Sequence, residues 1–98
     1  METKFKTISP IVNNGTFGLK TQKEYLIIQI GKILFCKADG SYSHINLDDG
    51  SKIIVSKPLI SLERFLMSSN FIRCHNSYLI NAYKVEKFSC KKGIIRQR

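Results

Sequence analysis

Residues 70–81 read NFIRCHNSYLIN, and the centre of that stretch sets Arg73, Cys74, His75, Asn76 and Ser77 side by side. Each brings a chemistry. Arg73 carries a planar fork that fits a phosphate or the N7/O6 edge of guanine, and Asn76 can pair bidentately with adenine. Ser77 and the backbone N–H groups suit phosphate oxygens. Cys74 is a thiol whose basic neighbours favour the thiolate. Phe71, Ile72, Tyr78, Leu79 and Ile80 flank the group and can anchor both ends in a core. A polar bend held outward by rigid elements is how reading loops are built. Plainer assignments stand beside these. Asn76 also reads as a turn residue, His75 as a hydrogen-bonded structural ring, and Arg73 as an ion-pair partner for Glu63. Ser77 reads first as the cap of a short helix over residues 77–81, and Cys74 as a half-buried packing residue.

Metal binding and catalysis find little support. Candidate ligands are Cys36, His44, Cys74, His75 and Cys90, with no C-x-x-C or H-x-x-x-H spacing among them. Cys74 and His75 are adjacent, so on a strand they point to opposite faces. Nothing marks the third group or the oxyanion site that a Cys–His hydrolase needs. The reading is a non-enzyme with no cofactor.

The elements that must hold this bend are mostly strands. YLIIQI from Tyr25 is rich in β-branched and aromatic residues, and Gly31 breaks it. KILFCKA follows, with Ile33 and Phe35 expected on one face and Lys32, Leu34 and Cys36 on the other. Asp39-Gly40 and Asp49-Gly50 bracket SYSHINL, and KIIVS comes next. Two Asp-Gly pairs between alternating segments predict an antiparallel meander. The period then changes: Leu59, Leu62 and Leu66 predict one short amphipathic helix, with Ser56 as N-cap and Pro58 in its first turn. FIRCH and KVEKFSC read as strands, and IIRQR as the start of another. Residues 1–15 carry Pro10, Asn13, Asn14 and Gly15 and read as an N-terminal tail or arm. Residues 16–98 form the single domain that 98 residues allow.

Charge is the informative bulk quantity. The chain carries 16 Lys and Arg against 7 Asp and Glu, a net +9. Residues 1–49 hold six basic and five acidic side chains, and residues 50–98 hold ten and two. A small domain with one strongly positive half points to a polyanionic partner. A basic face serving only solubility is the rival. The longest apolar runs reach four or five residues, as in YLII, too short for a membrane span. The first residues show no secretory signal. Three cysteines fit no disulfide framework, so a reduced cytoplasmic setting is expected.

Residues 31–87 resemble the LytTR family of bacterial DNA-binding domains. The match runs through Ile33–Phe35, Gly40-Ser41-Tyr42, Asp49-Gly50 and LISLERFL. It continues through Phe71, Arg73, His75, Ser77, Tyr78, Leu79, Ile80 and Asn81, and closes on a strand opening at Val85. The resemblance implies a mostly β fold, an elongated stack of small antiparallel sheets with one short amphipathic helix. It also implies double-stranded DNA binding, usually as the output domain of a response regulator in transcription regulation. Members of the family normally run on with two more strands and a basic segment that also reaches DNA; the resemblance leaves that contact either absent here or replaced by Arg96 and Arg98.

The expected DNA-binding residues are Tyr42 and Asn76 as groove readers, with Arg73, Lys57, Lys91, Lys92 and Arg96 on phosphates. Tyr42 and Asn76 are expected to enter successive major grooves, with a homodimer on a repeated site. The alternative is a protein-interaction or oligomerisation module that pairs through an open sheet edge. Single-stranded RNA binding ranks below both, because the aromatics read as core rather than as a stacking platform.

Overall fold

The computed structural model describes residues 2–5, 11–13, 15–20, 25–66, 70–89 and 94–97. The elements in chain order are β1 (Glu2–Phe5), β2 (Ile11–Asn13), β3 (Thr16–Lys20), β4 (Tyr25–Gln29), a single 3-10 turn (Ile30–Lys32), β5 (Ile33–Asp39), β6 (Tyr42–Leu47) and β7 (Lys52–Val55). Then come α1 (Leu59–Leu66), β8 (Phe71–His75), β9 (Tyr78–Asn81), β10 (Val85–Ser89) and β11 (Ile94–Gln97). They form a six-stranded sheet in the order β1-β7-β6-β5-β9-β8, a three-stranded sheet β2-β3-β4, and the hairpin β10-β11. The described residues extend over 37 × 28 × 25 Å.

The meander forms where the Asp-Gly pairs predict it. Gly40 and Gly50 sit at φ +62° and +88°, a left-handed conformation that a Cβ disfavours. The Asp49 carboxylate accepts from the Ser51 N–H at 2.8 Å and from its hydroxyl at 2.6 Å, closing the second turn. Those bonds hold the Asp49 carboxyl below the usual carboxylate range. β5 pairs with β6, and β6 with β7, both antiparallel.

Face assignment in β5 differs from strict alternation. A register irregularity lies between Ile33 and Phe35. A bulge adds one residue and reverses the parity beyond it. Ile33 and Cys36 therefore share the core, and Phe35 lies outside the main core cluster, packed against Tyr78 and Phe88. Burial pushes the Cys36 thiol up to about 12.

One face of the six-stranded sheet carries Cys36, Ile45, Ile53, Val55 and Leu79, and α1 covers it with Leu59, Leu62 and Leu66. The spacing of these leucines puts them on one stripe of the helix. The helix begins later than the sequence suggests. Its first residue is Leu59, so Pro58 rather than Ser56 stands at the cap position, and its carbonyl accepts the Ser61 N–H at 3.0 Å. Pro58 sits just outside the helix, where its missing N–H costs no helical bond.

Residues 77–81 are not a helix. Tyr78–Asn81 is β9, paired to β5 on one side and β8 on the other, so Ser77 caps nothing. Central pairing on both sides supplies more backbone bonds than a single helical turn can. The segment expected as a loose arm contains two strands: β1 runs parallel to β7 at the sheet's end, and β2 pairs with β3. No helix among the described residues is long and apolar enough to cross a membrane.

Candidate nucleic-acid interface

β8 and β9 form a hairpin whose connection is Asn76-Ser77, and His75 pairs directly with Tyr78 across it. Leu79 is buried in the core at 1% exposure, so the hairpin is rooted while its tip is in solvent. Cys74, His75 and Asn76 are exposed, and Ser77 is half-buried. The Ser77 N–H donates to His75 Nδ1 at 3.1 Å. With Nδ1 accepting, the neutral ring carries its proton on Nε2. His75 thus shapes the turn, as the structural reading of that residue proposes.

Arg73 closes the turn from below. Its Nε donates to the His75 carbonyl at 2.9 Å and its Nη2 to the Asn76 carbonyl at 2.7 Å. Nη1 donates to Glu63 Oε1 at 2.6 Å, an ion pair from the hairpin to α1. The guanidinium expected on a phosphate faces the protein at every one of these atoms. Glu63 is half-buried, and the ion pair that the sequence offers as the plainer reading of Arg73 is formed.

A second turn lies beside this one. The Ala38 N–H at the end of β5 donates to the Ser77 carbonyl at 2.8 Å. Ala38 pairs with Ser43, and Asp39 with Tyr42, so Tyr42 opens the far side of the β5–β6 turn. Tyr42 is 36% exposed. Two steps along the chain and two cross-strand spacings separate Asn76 from Tyr42, which bounds their Cα distance at about 19 Å. Successive turns of the duplex are about 34 Å apart. Tyr42 and Asn76 of one copy therefore stand closer together than the successive major grooves they are expected to enter.

Beneath the two turns, on the sheet face opposite α1, lies a cleft of about 410 Å³ lined by Phe35, Lys37, Asp39, His44, Lys52 and Tyr78 among others. Phe88 of β10 packs edge-on against Tyr78 at 4.7 Å and so seats the β10–β11 hairpin at its rim. His44 Nε2 meets Asp39 Oδ2 at 3.0 Å. Lys37 Nζ stands 5.9 Å from the Tyr78 ring centroid. Sequence reasoning passed over Lys37 and Lys52; the alternation of β5 and β7 with their apolar core positions was the signal that could have found them.

The remaining cations are placed unequally. Lys57 is half-buried in the loop before α1, and its carbonyl accepts the buried Ser43 hydroxyl at 2.7 Å. Lys84 pairs with Asp48 at 3.1 Å. Arg96 lies on β11 within 3.6 Å of Glu86, with both side chains largely in solvent. Lys91, Lys92, Arg98 and Cys90 lie outside the described residues. No group of three or more His, Cys, Asp or Glu side chains among the described residues is arranged to hold a metal ion.

The family model of the LytTr DNA-binding domain matches residues 23–95. The chain belongs to the LytTr family. The match extends past the resembling segment 31–87 at both ends and takes in every element from β4 to the start of β11. Among solved structures, the LytTr DNA-binding domain of a putative methyl-accepting/DNA response regulator from Bacillus cereus is similar, with a TM-score of 0.61 and 21% identity. The alignment covers 76% of this chain and 68% of that one, and at this identity the likeness is one of fold. No curated protein matches the chain. The mostly β architecture with one short helix is thus a LytTr fold.

Proposed function

We propose that this LytTr domain binds double-stranded DNA in a sequence-specific way, as the output domain of a bacterial transcriptional regulator working in the cytoplasm. The carrying observation is the pair of neighbouring turns, with Asn76 exposed at one tip and Tyr42 at the other, joined by the Ala38–Ser77 hydrogen bond. Side chains on a braced hairpin lose little entropy on meeting a base edge. Asn76 is the base reader, through its amide on adenine. Tyr42 reaches the same stretch of groove or its flanking backbone. Lys57, Lys91, Lys92 and Arg96 hold phosphates, in the half of the chain with ten basic and two acidic residues. Two copies occupy a repeated site, one helical turn apart, each setting its pair of turns against one stretch of groove. The role is binding, not catalysis.

Selection from random duplex DNA at physiological salt tests this. A recovered motif repeated at a spacing of about 10 base pairs is the expected result. Retention of all sequences alike, or of none, overturns the proposal.

A second reading is favoured by one observation. β8 is the outer strand of the six-stranded sheet, and its Ile72 is 51% exposed. An edge of that kind can pair with another chain. Dimer mass in solution without DNA retention supports this interaction module instead.

A further inference from the structure

We infer that Arg73 serves DNA reading from inside the protein, as a positioning residue anchored by Glu63, and that α1 thereby sets the shape of the turn presenting Asn76. The inference rests on the DNA-reading proposal and gives a different role to Arg73, which its residue type alone assigns to a phosphate. A guanidinium has its donors in a fixed planar fork, and three of its nitrogens are already matched to acceptors here. Two of these acceptors are the consecutive carbonyls of His75 and Asn76, at 2.9 and 2.7 Å, and the third is Glu63 Oε1 at 2.6 Å. The two carbonyls sit on either side of the bond that leads to the reading side chain. Fixing both fixes the direction in which Asn76 leaves the backbone.

Glu63 supplies the other end of this strut. It projects from a helix whose Leu62 and Leu66 are fully buried, so its position is as firm as the core. The Arg73 and Glu63 side chains are 26% and 34% exposed, which places the pair at the base of the turn. A phosphate meeting Arg73 would find only the two remaining N–H donors, one on each Nη, unless the ion pair and both carbonyls were released. The fork is committed first to holding the turn, and the geometry points to that use.

The two uses predict opposite signs for one substitution. Glu63→Ala removes a negative charge from a DNA-facing region. If Arg73 were a phosphate contact, that change would free it and tighten binding to every duplex, and Arg73→Ala would reduce the salt slope by about one ion. If Arg73 is a strut, Glu63→Ala weakens the selected site by about tenfold or more, leaves scrambled duplex unchanged, and keeps the salt slope. Glu63→Gln keeps an acceptor and should lie between Glu63→Ala and the parent. Arg73→Lys keeps the charge but not the fork, and should behave as Glu63→Ala does.

Amide hydrogen exchange in the free protein gives a readout independent of DNA. The Ala38 N–H donates to Ser77 O, and the Ser77 N–H to His75 Nδ1. Both should exchange about tenfold faster in Glu63→Ala, while the β6–β7 amides keep their rates. Unchanged exchange at Ala38 and Ser77, or tighter binding to all duplexes, overturns the inference. If the parent protein does not discriminate selected from scrambled DNA, the reading proposal fails by itself and the exchange rates alone judge the strut.

Discussion

The side-chain amide of Asn81 donates to the carbonyl of Ile33 at 2.8 Å, bridging residues 48 positions apart. Its oxygen accepts the Tyr83 N–H at 3.0 Å, so both ends of the amide are used. Asn81 is 2% exposed and Ile33 fully buried. The bond stands just beyond the Phe35–Ile80 pair that ends the β5–β9 ladder and gives the Ile33 carbonyl a partner in the core. Asn81→Ala should cost about 2–4 kcal/mol, because a buried acceptor and a turn N–H both lose their partner. Urea unfolding reads this as a lower midpoint at an unchanged m value.

Asn76 is the contrasting asparagine, exposed and at a tip. Asn76→Ala should leave the unfolding midpoint within about 0.5 kcal/mol of the parent. It should weaken the selected DNA site by about 1–3 kcal/mol and relax preference at one base pair. Gel shifts on the selected site and on single-base variants of it make the comparison. A mutant that binds and discriminates as the parent does removes Asn76 from the reading role.

The two asparagines show what sequence patterns carry and where they stop. Hairpins around Gly40 and Gly50, the leucine stripe of α1 and the strand order of the meander follow from local rules. So does the polar bend between Phe71 and Tyr78, because its composition is unlike anything a core accepts. The β5 bulge does not follow: one inserted residue leaves no mark in composition, yet it moved Cys36 into the core beside Ile33 and turned Phe35 away. The strand at Tyr78–Asn81 needed the knowledge that β5 and β8 lie on either side of it, which is tertiary information. The same is true of Arg73. Its type suggested phosphate, and only the nearness of Glu63 and two carbonyls shows how its donors are used.

The two cysteines of the β5 core and the reading hairpin should behave differently toward thiol reagents. Cys36 is fully buried, and desolvation of its thiolate raises its pKa to about 12. Cys74 is exposed. At pH 8, peptide mapping after brief alkylation should find Cys74 modified and Cys36 untouched until the protein is unfolded. The raised value also sets a pH dependence. Above the ordinary value of 9.0 the unfolded chain loses the Cys36 proton while the folded one keeps it. The stability due to the neutral thiol is therefore complete below 9.0 and is lost as pH rises toward 12. Cys36→Ala should be less stable throughout, through its cavity, but should fall less steeply between those values. An equal alkaline slope in both proteins rules out the buried thiol as its source.

Arg96 and Lys91 should act on DNA affinity without acting on sequence preference. Arg96 meets Glu86 at 3.6 Å with side chains 69% and 52% exposed, a surface pair that solvent screens and that holds the guanidinium weakly. It can exchange that partner for a phosphate at little cost, unlike Arg73, whose donors have three close acceptors. Arg96→Ala and Lys91→Ala should each reduce the slope of log affinity against log salt by about 0.9 and weaken selected and scrambled duplex equally. Glu86→Gln should do the reverse and tighten both, since it removes the competing carboxylate. Binding titrations between 50 and 200 mM salt, on the order of the range where such contacts change affinity most, make the measurement. A slope left unchanged by both cation substitutions would place the phosphate grip elsewhere on the molecule, away from the β10–β11 hairpin.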